Sequence, residues 1–95
     1  MDISKTEARL KKIRMRSWRR GMKEMDLILG PFADTQLAEM RDADLDAYER
    51  LLDENDQDLY LWVTGAVPCP AHLLPMILII ARAAGVGRGA ETPAD

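Results

Sequence analysis

The one cysteine and the one histidine of the chain, Cys69 and His72, lie three residues apart in "VPCPAHLLP". A helix would bring residues at that spacing together, and a thiol beside an imidazole is the start of a nucleophilic or metal site. Neither is completed here. A structural zinc site takes four ligands, which one Cys and one His cannot supply. Pro68 and Pro70 also argue against a helix spanning both residues. Ser-His-Asp and Cys-His catalysis need a histidine as base, and His72 stands alone among apolar residues at a helix entry. "GVGRG" at 85–89 follows a predicted helix, whereas a dinucleotide-binding glycine loop follows a strand. The acids from Asp42 to Asp58 lack the spacing of a calcium loop and read as helix caps and a solvated face. We therefore expect no catalytic residue, no metal ligand and no cofactor held by this chain, and not an enzyme.

One segment remains, "RRGMKEMD" at 19–26. Arg20-Gly21-x-x-Glu24 is compatible with a surface ion pair four residues apart, worth about 0.3–0.5 kcal/mol. Its setting is less ordinary. Gly21 stands where a helix former would be preferred, at a cost of about 1 kcal/mol relative to alanine. It reads as a break between two helices, or as a place where something approaches the backbone closely. Lys12, Arg16 and Arg20 are spaced by four and form a basic stripe that leads to it.

The elements that must position this segment are helical. Ninety-five residues make one small domain that buries roughly 60–65% of its unfolded surface, which leaves no room for a deep chamber. Aromatics are only 5% and methionines number six, so aliphatic and thioether side chains must fill much of the core. No stretch alternates as a strand would, and the apolar period is 3.6. A first helix is expected over 5–18 and a second over 21–30, with Met22, Met25, Ile28, Leu29 and Phe32 on one arc and Glu24 opposite. "GPF" at 30–32 is expected to end it, Gly30 as cap and Pro31 as stop. Asp34 then suits the cap of a short turn. Asp42 or Asp44 caps a helix to about 53 that turns Leu45, Tyr48, Leu51 and Leu52 inward. Further helices follow at about 56–64 and 71–84, the last apolar almost all round. The fold class is all-α, a single-domain bundle of four to five short helices over 1–84, with a mobile Gly- and Pro-rich tail at 85–95.

Charge is unevenly placed. Residues 1–24 carry nine Lys or Arg against three acids; residues 25–95 carry four against thirteen, and the net is −3. A basic helix on an acidic body either docks on its own acidic surface or recognises an anionic partner. Nucleic acid is the alternative partner class, although Trp18 is the only aromatic near the basic run. The absence of disulfide potential fits a reducing compartment. The apolar run "LLPMILIIA" is shorter than the about 20 residues that span a bilayer, so no membrane insertion is expected. The Arg-rich "RLKKIRMRSWRR" has the composition of a transit peptide, but it runs directly into the distinctive segment, and we expect a bacterial cytoplasmic protein.

Two blocks, "RSWRRGMKEMDLILGPFAD" and "AYERLLDENDQDLYLWVTG", resemble the succinate dehydrogenase assembly factor 2 family, called SdhE in bacteria. The family's Arg-Gly-x-x-Glu motif is matched by Arg20, Gly21 and Glu24, followed by Met25 and Asp26. A second block is matched by Leu51, Leu52, Asp56, Leu59, Tyr60 and Trp62. The resemblance covers about residues 9–81 and is less typical around "VPCPAHLLP". It implies a helical accessory factor that binds the flavoprotein subunit of succinate dehydrogenase, or of fumarate reductase, in a transient complex. It would promote covalent attachment of FAD, through the flavin 8α carbon, to a histidine of that client. FAD and the acceptor histidine would both belong to the client. The resemblance implies a client-binding surface at Arg20, Gly21 and Glu24, to which Arg16, Lys12 and Asp26 are added as steering and weaker contacts.

Overall fold

The computed structural model describes residues 3–85, with side chains from Thr6 onward. Five α-helices follow one another: α1 (Ile3–Trp18), α2 (Lys23–Gln36), α3 (Asp42–Leu52), α4 (Asp56–Thr64) and α5 (Leu74–Ala84). A 3₁₀ turn, Leu37–Glu39, joins α2 to α3. Among the described residues there is no strand, and the all-α bundle expected from the periodicity is what forms. No helix of the described residues is long and apolar enough to cross a membrane. Of the expected tail, only Gly85 is described, as the left-handed cap of α5; residues 86–95 lie outside the described residues.

α2 is the central element, packed against α1, α4 and α5, while α3 closes the bundle against α1 and α5. Its inward face, Met25, Leu29, Phe32 and Ala33, meets Ile13 of α1, Leu59 and Val63 of α4, and Ile77, Ile80 and Ala81 of α5 in one continuous core. The expected inward side of α3, Leu45, Tyr48, Leu51 and Leu52, is buried throughout. Tyr48 also tilts against Phe32, ring centroids 5.4 Å apart, a separation at which aromatic pairs attract.

The helix ends correct several expectations. α2 does not stop at "GPF" but continues to Gln36 with Pro31 inside it. Pro31 lacks the N–H that would bond the carbonyl of Leu27. Both residues are exposed, on the side of the helix where water can replace the lost bond. Gly30 is not a cap: a Cβ placed on it would lie 2.4 Å from ring atoms of Trp18. It is the place where the indole of α1 packs directly on the backbone of α2. Asp34, expected to cap a turn, sits within α2 and accepts from the Trp18 indole N–H at 3.2 Å.

At α3 the flanking residue is Arg41, with Asp42 and Asp44 already in the first turn, where their charge meets the positive end of the helix dipole. At α4, Asn55 is a side-chain cap, accepting from the amides of Gln57 and Asp58 at 2.8 and 3.3 Å. α5 starts at Leu74, three residues later than expected. Pro75 is the reason, since its ring would clash with a helical carbonyl four residues back; it is tolerated only in the first turn. The apolar surface of α5 is not all covered either: Met76, Ile77, Ile80 and Ala81 are buried, whereas Leu74 and Ile79 face out.

Candidate functional site

The α1–α2 junction is built around a backbone conformation that only glycine adopts without strain. α1 ends at Trp18, and Gly21 takes φ +88°. Met22 is extended, and its carbonyl accepts the amides of Met25 and Asp26, each at 3.0 Å, to start α2. The expected helix break is therefore real. A Cβ on Gly21 would find its nearest neighbour, Asp56 Oδ2, at 3.9 Å, so space is not what selects glycine here. Positive φ selects it.

Arg20 anchors the junction from below. Its side chain is only 10% exposed. Nε donates to Asp56 Oδ1 at 2.6 Å, Nη1 to the carbonyl of Leu52 at 2.6 Å, and Nη2 to the carbonyl of Glu54 at 2.8 Å. Leu52 is the last residue of α3 and Glu54 lies in the linker to α4. The planar fork thus satisfies carbonyls at the negative end of one helix while pairing with a carboxylate at the start of the next. On the other side, the Arg20 amide donates to Asp26 Oδ1 at 2.7 Å. The junction is held at three points, by α2 through Asp26, by α4 through Asp56 and by the α3 terminus.

The six residues expected at the surface fall into distinct settings. Gly21 and Glu24 are exposed, and Glu24 faces off the core as the wheel predicts. The local pair with Arg20 that the spacing allows does not form, because Asp56 takes the guanidinium. Asp26 is half-buried and holds the Arg20 amide. Arg16 donates to Asp53 at 2.8 Å, and Lys12 is exposed. A shallow depression lined by Gly21, Met22, Asn55, Asp56 and Gln57 opens beside the glycine. Asp56 is the residue that sequence reasoning missed as a site element. It stood among acids read as caps, and its partner lies 36 positions away, beyond any local spacing rule.

Two polar groups behind the site are buried. Ser17 and Tyr48 are both fully covered, with 2.8 Å between their hydroxyl oxygens. The Ser17 hydroxyl donates its one proton to the Ile13 carbonyl at 2.9 Å, so the Tyr48 hydroxyl must donate to Ser17. Burial pushes the Tyr48 phenol up to about 12, opposed by the Ser17 hydrogen bond and by the charges of Arg20 and Arg16. Cys69 is half-buried, and burial, with the Glu54 charge, pushes its thiol up, away from the thiolate a nucleophile needs. His72 is exposed. Among the described residues no cluster of three or more His, Cys, Asp or Glu is arranged to hold a metal ion.

What the fold presents is a hydrogen-bonded, solvent-facing junction on a small helical bundle. The comparisons with known proteins make this particular. The family model described as Sdh5, flavinator of succinate dehydrogenase, matches residues 11–83, and the chain belongs to that family. It is 39% identical over 71 residues to the mitochondrial succinate dehydrogenase assembly factor 2 of Mycosarcoma maydis, covering 75% of this chain and 30% of that protein. It is 45% identical over 67 residues to the protein of the same name from Aspergillus flavus, covering 70% and 22%. To that of Yarrowia lipolytica it is 37% identical over 68 residues, covering 68% and 47%. The chain thus spans less than half the length of these relatives. No solved structure matches it. These relatives are all mitochondrial by name, which overturns the expectation of a bacterial cytoplasmic location.

Proposed function

We propose that this chain binds the flavoprotein subunit of succinate dehydrogenase in a transient complex and promotes covalent attachment of FAD to a histidine of that subunit. The same chemistry extends the reading to the flavoprotein of fumarate reductase. Family membership supports it. The single observation that carries it is the junction, where exposed Gly21 and Glu24 are presented on a backbone anchored from beneath.

FAD and the acceptor histidine both belong to the client in this proposal, and so does the bond-forming step. What the helper supplies is geometry. Binding energy from a preformed surface holds client segments so that histidine and flavin meet in reactive orientation, a proximity effect. A surface that is rigid before binding loses little entropy on docking. Gly21 has no side chain, which lets client backbone come close. Glu24 accepts hydrogen bonds from the client. Arg20 and Asp26 act as positioning residues, since their polar atoms hold the junction itself. Lys12 and Arg16 raise the rate of encounter.

The test is co-expression of the flavoprotein subunit with and without this chain, followed by in-gel fluorescence of covalently bound flavin. The chain should raise the fluorescent fraction, and Glu24→Ala, exposed and outside the core, should lower it while the helper's melting temperature stays put. Equal fluorescence with and without the chain refutes the function. Full fluorescence with Glu24→Ala refutes the site.

A further inference from the structure

The basic N-terminal helix is divided by the fold into two faces with different fates. Toward the body, its arginines meet the chain's own acids. Arg9 pairs with Asp46 and Glu49 at 2.6 and 2.7 Å, Arg16 with Asp53 at 2.8 Å, Arg20 with Asp56 at 2.6 Å, and Arg14 lies 3.7 Å from Asp34. Away from the body, Lys11, Lys12 and Arg19 are exposed and form no ion pair among the described residues. With Ala8, Met15 and Arg16 they line one open groove along the outer face of α1. Met15 sits among these cations and is 44% exposed, although the helix has an apolar side facing the core on which to place such a residue.

We propose that this outer face of α1 is a second docking strip, and that its occupant is an acidic, amphipathic segment of the flavoprotein client. The proposal rests on the function proposed above and extends it from one contact surface to two. Charge complementarity selects the occupant: three unpaired cations flank one apolar side chain, which fits carboxylates flanking one apolar residue. From Ala8 to the end of α1 at Trp18 the strip is about 15 Å long at the helical rise, the length of about three turns of a partner helix, with Arg19 just beyond the helix end. Other anionic partners fit less well. A membrane-surface helix needs a broad apolar face, and here Ile13 and Leu10 are turned into the bundle, while the only apolar residues lining the groove are Met15 and Ala8. Single-stranded nucleic acid needs aromatic platforms. The strip has none, and Trp18 lies against Gly30 with its indole N–H on Asp34. The strip is also continuous with the proposed site, because Arg19 stands two residues before Gly21.

The test uses the full chain and the purified flavoprotein subunit, with association and dissociation followed by surface-based kinetics across a salt series. The triple variant Lys11→Glu, Lys12→Glu, Arg19→Glu should slow association about tenfold or more and flatten its salt dependence. Met15→Ala should speed dissociation about threefold to tenfold at an unchanged association rate, which a merely electrostatic steering role would not produce. All four side chains are outside the core, so thermal melts of the variants should overlay that of the parent chain. Parental kinetics in the triple variant overturn the strip, and parental dissociation in Met15→Ala overturns docking there. Binding of RNA or of phosphatidylglycerol vesicles that depends on the three cations, with flavoprotein kinetics untouched, assigns the strip to another partner and overturns the proposal. Failure of the parent chain to bind the flavoprotein overturns the proposed function together with this extension. Parental binding that responds to Glu24→Ala but not to the α1 variants overturns this extension, and with it the steering role given to Lys12, and leaves the Gly21–Glu24 surface standing.

Discussion

Replacing Arg20 by alanine separates holding the junction together from touching a client. The guanidinium makes three charge-assisted hydrogen bonds, to Asp56 Oδ1, the Leu52 carbonyl and the Glu54 carbonyl, from a side chain 10% exposed. Hydrogen bonds to charged groups contribute about 1.5–3 kcal/mol each when buried. Removing one partner of a buried pair costs about 3–5 kcal/mol. Asp56 is 20% exposed, so water recovers part of its solvation, and a cost of about 3 kcal/mol is the reasonable centre. For a domain of this size, each kcal/mol moves the melting temperature by about 4–8 °C, so Arg20→Ala should melt roughly 12–24 °C lower. Arg20→Lys keeps the charge but not the fork, and should recover less than half of that loss. Asp56→Ala should cost less than Arg20→Ala, about 1–2 kcal/mol, because the guanidinium keeps its two carbonyls. The assay is thermal unfolding by circular dichroism, run beside the flavinylation readout. Should Arg20→Ala melt within about 2 °C of the parent chain while flavinylation is lost, the clamp is not what Arg20 is for, and a direct client contact must replace it.

Gly21→Ala should lose about 1–2 kcal/mol in urea unfolding, from the positive φ alone, since the nearest atom to the new Cβ is 3.9 Å away. Gly30→Ala meets the Trp18 ring at 2.4 Å, so it should destabilise the chain despite alanine's better helix propensity, and the Trp18 emission should shift red when measured in a Trp62→Phe background. Ser17→Ala should cost more than Tyr48→Phe, about 1–3 against about 1 kcal/mol. The first leaves the buried Tyr48 hydroxyl without an acceptor, whereas the second leaves Ser17 still bonded to Ile13. Tyr48 also sets an alkaline limit. Its phenol titrates at about 12 when folded and near 10 when unfolded, so its contribution is whole below pH 10 and is lost as pH rises toward 12. Comparing urea midpoints of the parent and Tyr48→Phe across that window isolates this effect from the lysines, and parallel curves would refute it.

The sequence by itself determined most of the bundle. The 3.6 period placed four to five helices, and the inward residues of α3 and the exposure of Glu24 followed from it, because which face of an amphipathic helix is buried is a local property. The break at Gly21 was equally legible, since a glycine between two helical runs has few other uses. Where local rules failed, a distant residue had changed their meaning. "GPF" reads as a stop, yet α2 passes through it: the Trp18 ring needs Gly30 bare, and Pro31 falls on the exposed side where its lost hydrogen bond is tolerated. Arg20 and Glu24 have the spacing of a pair, but the bundle brings Asp56 to 2.6 Å from Arg20 and leaves Glu24 to solvent. The two readings of the basic helix, self-docked or partner-directed, could not be separated along the chain. Tertiary structure pairs Arg9, Arg16 and Arg20 with the chain's own acids and leaves Lys11, Lys12 and Arg19 to solvent, because an ion pair depends on where a folded chain puts opposite charges, and spacing in sequence reports that only within a helix turn.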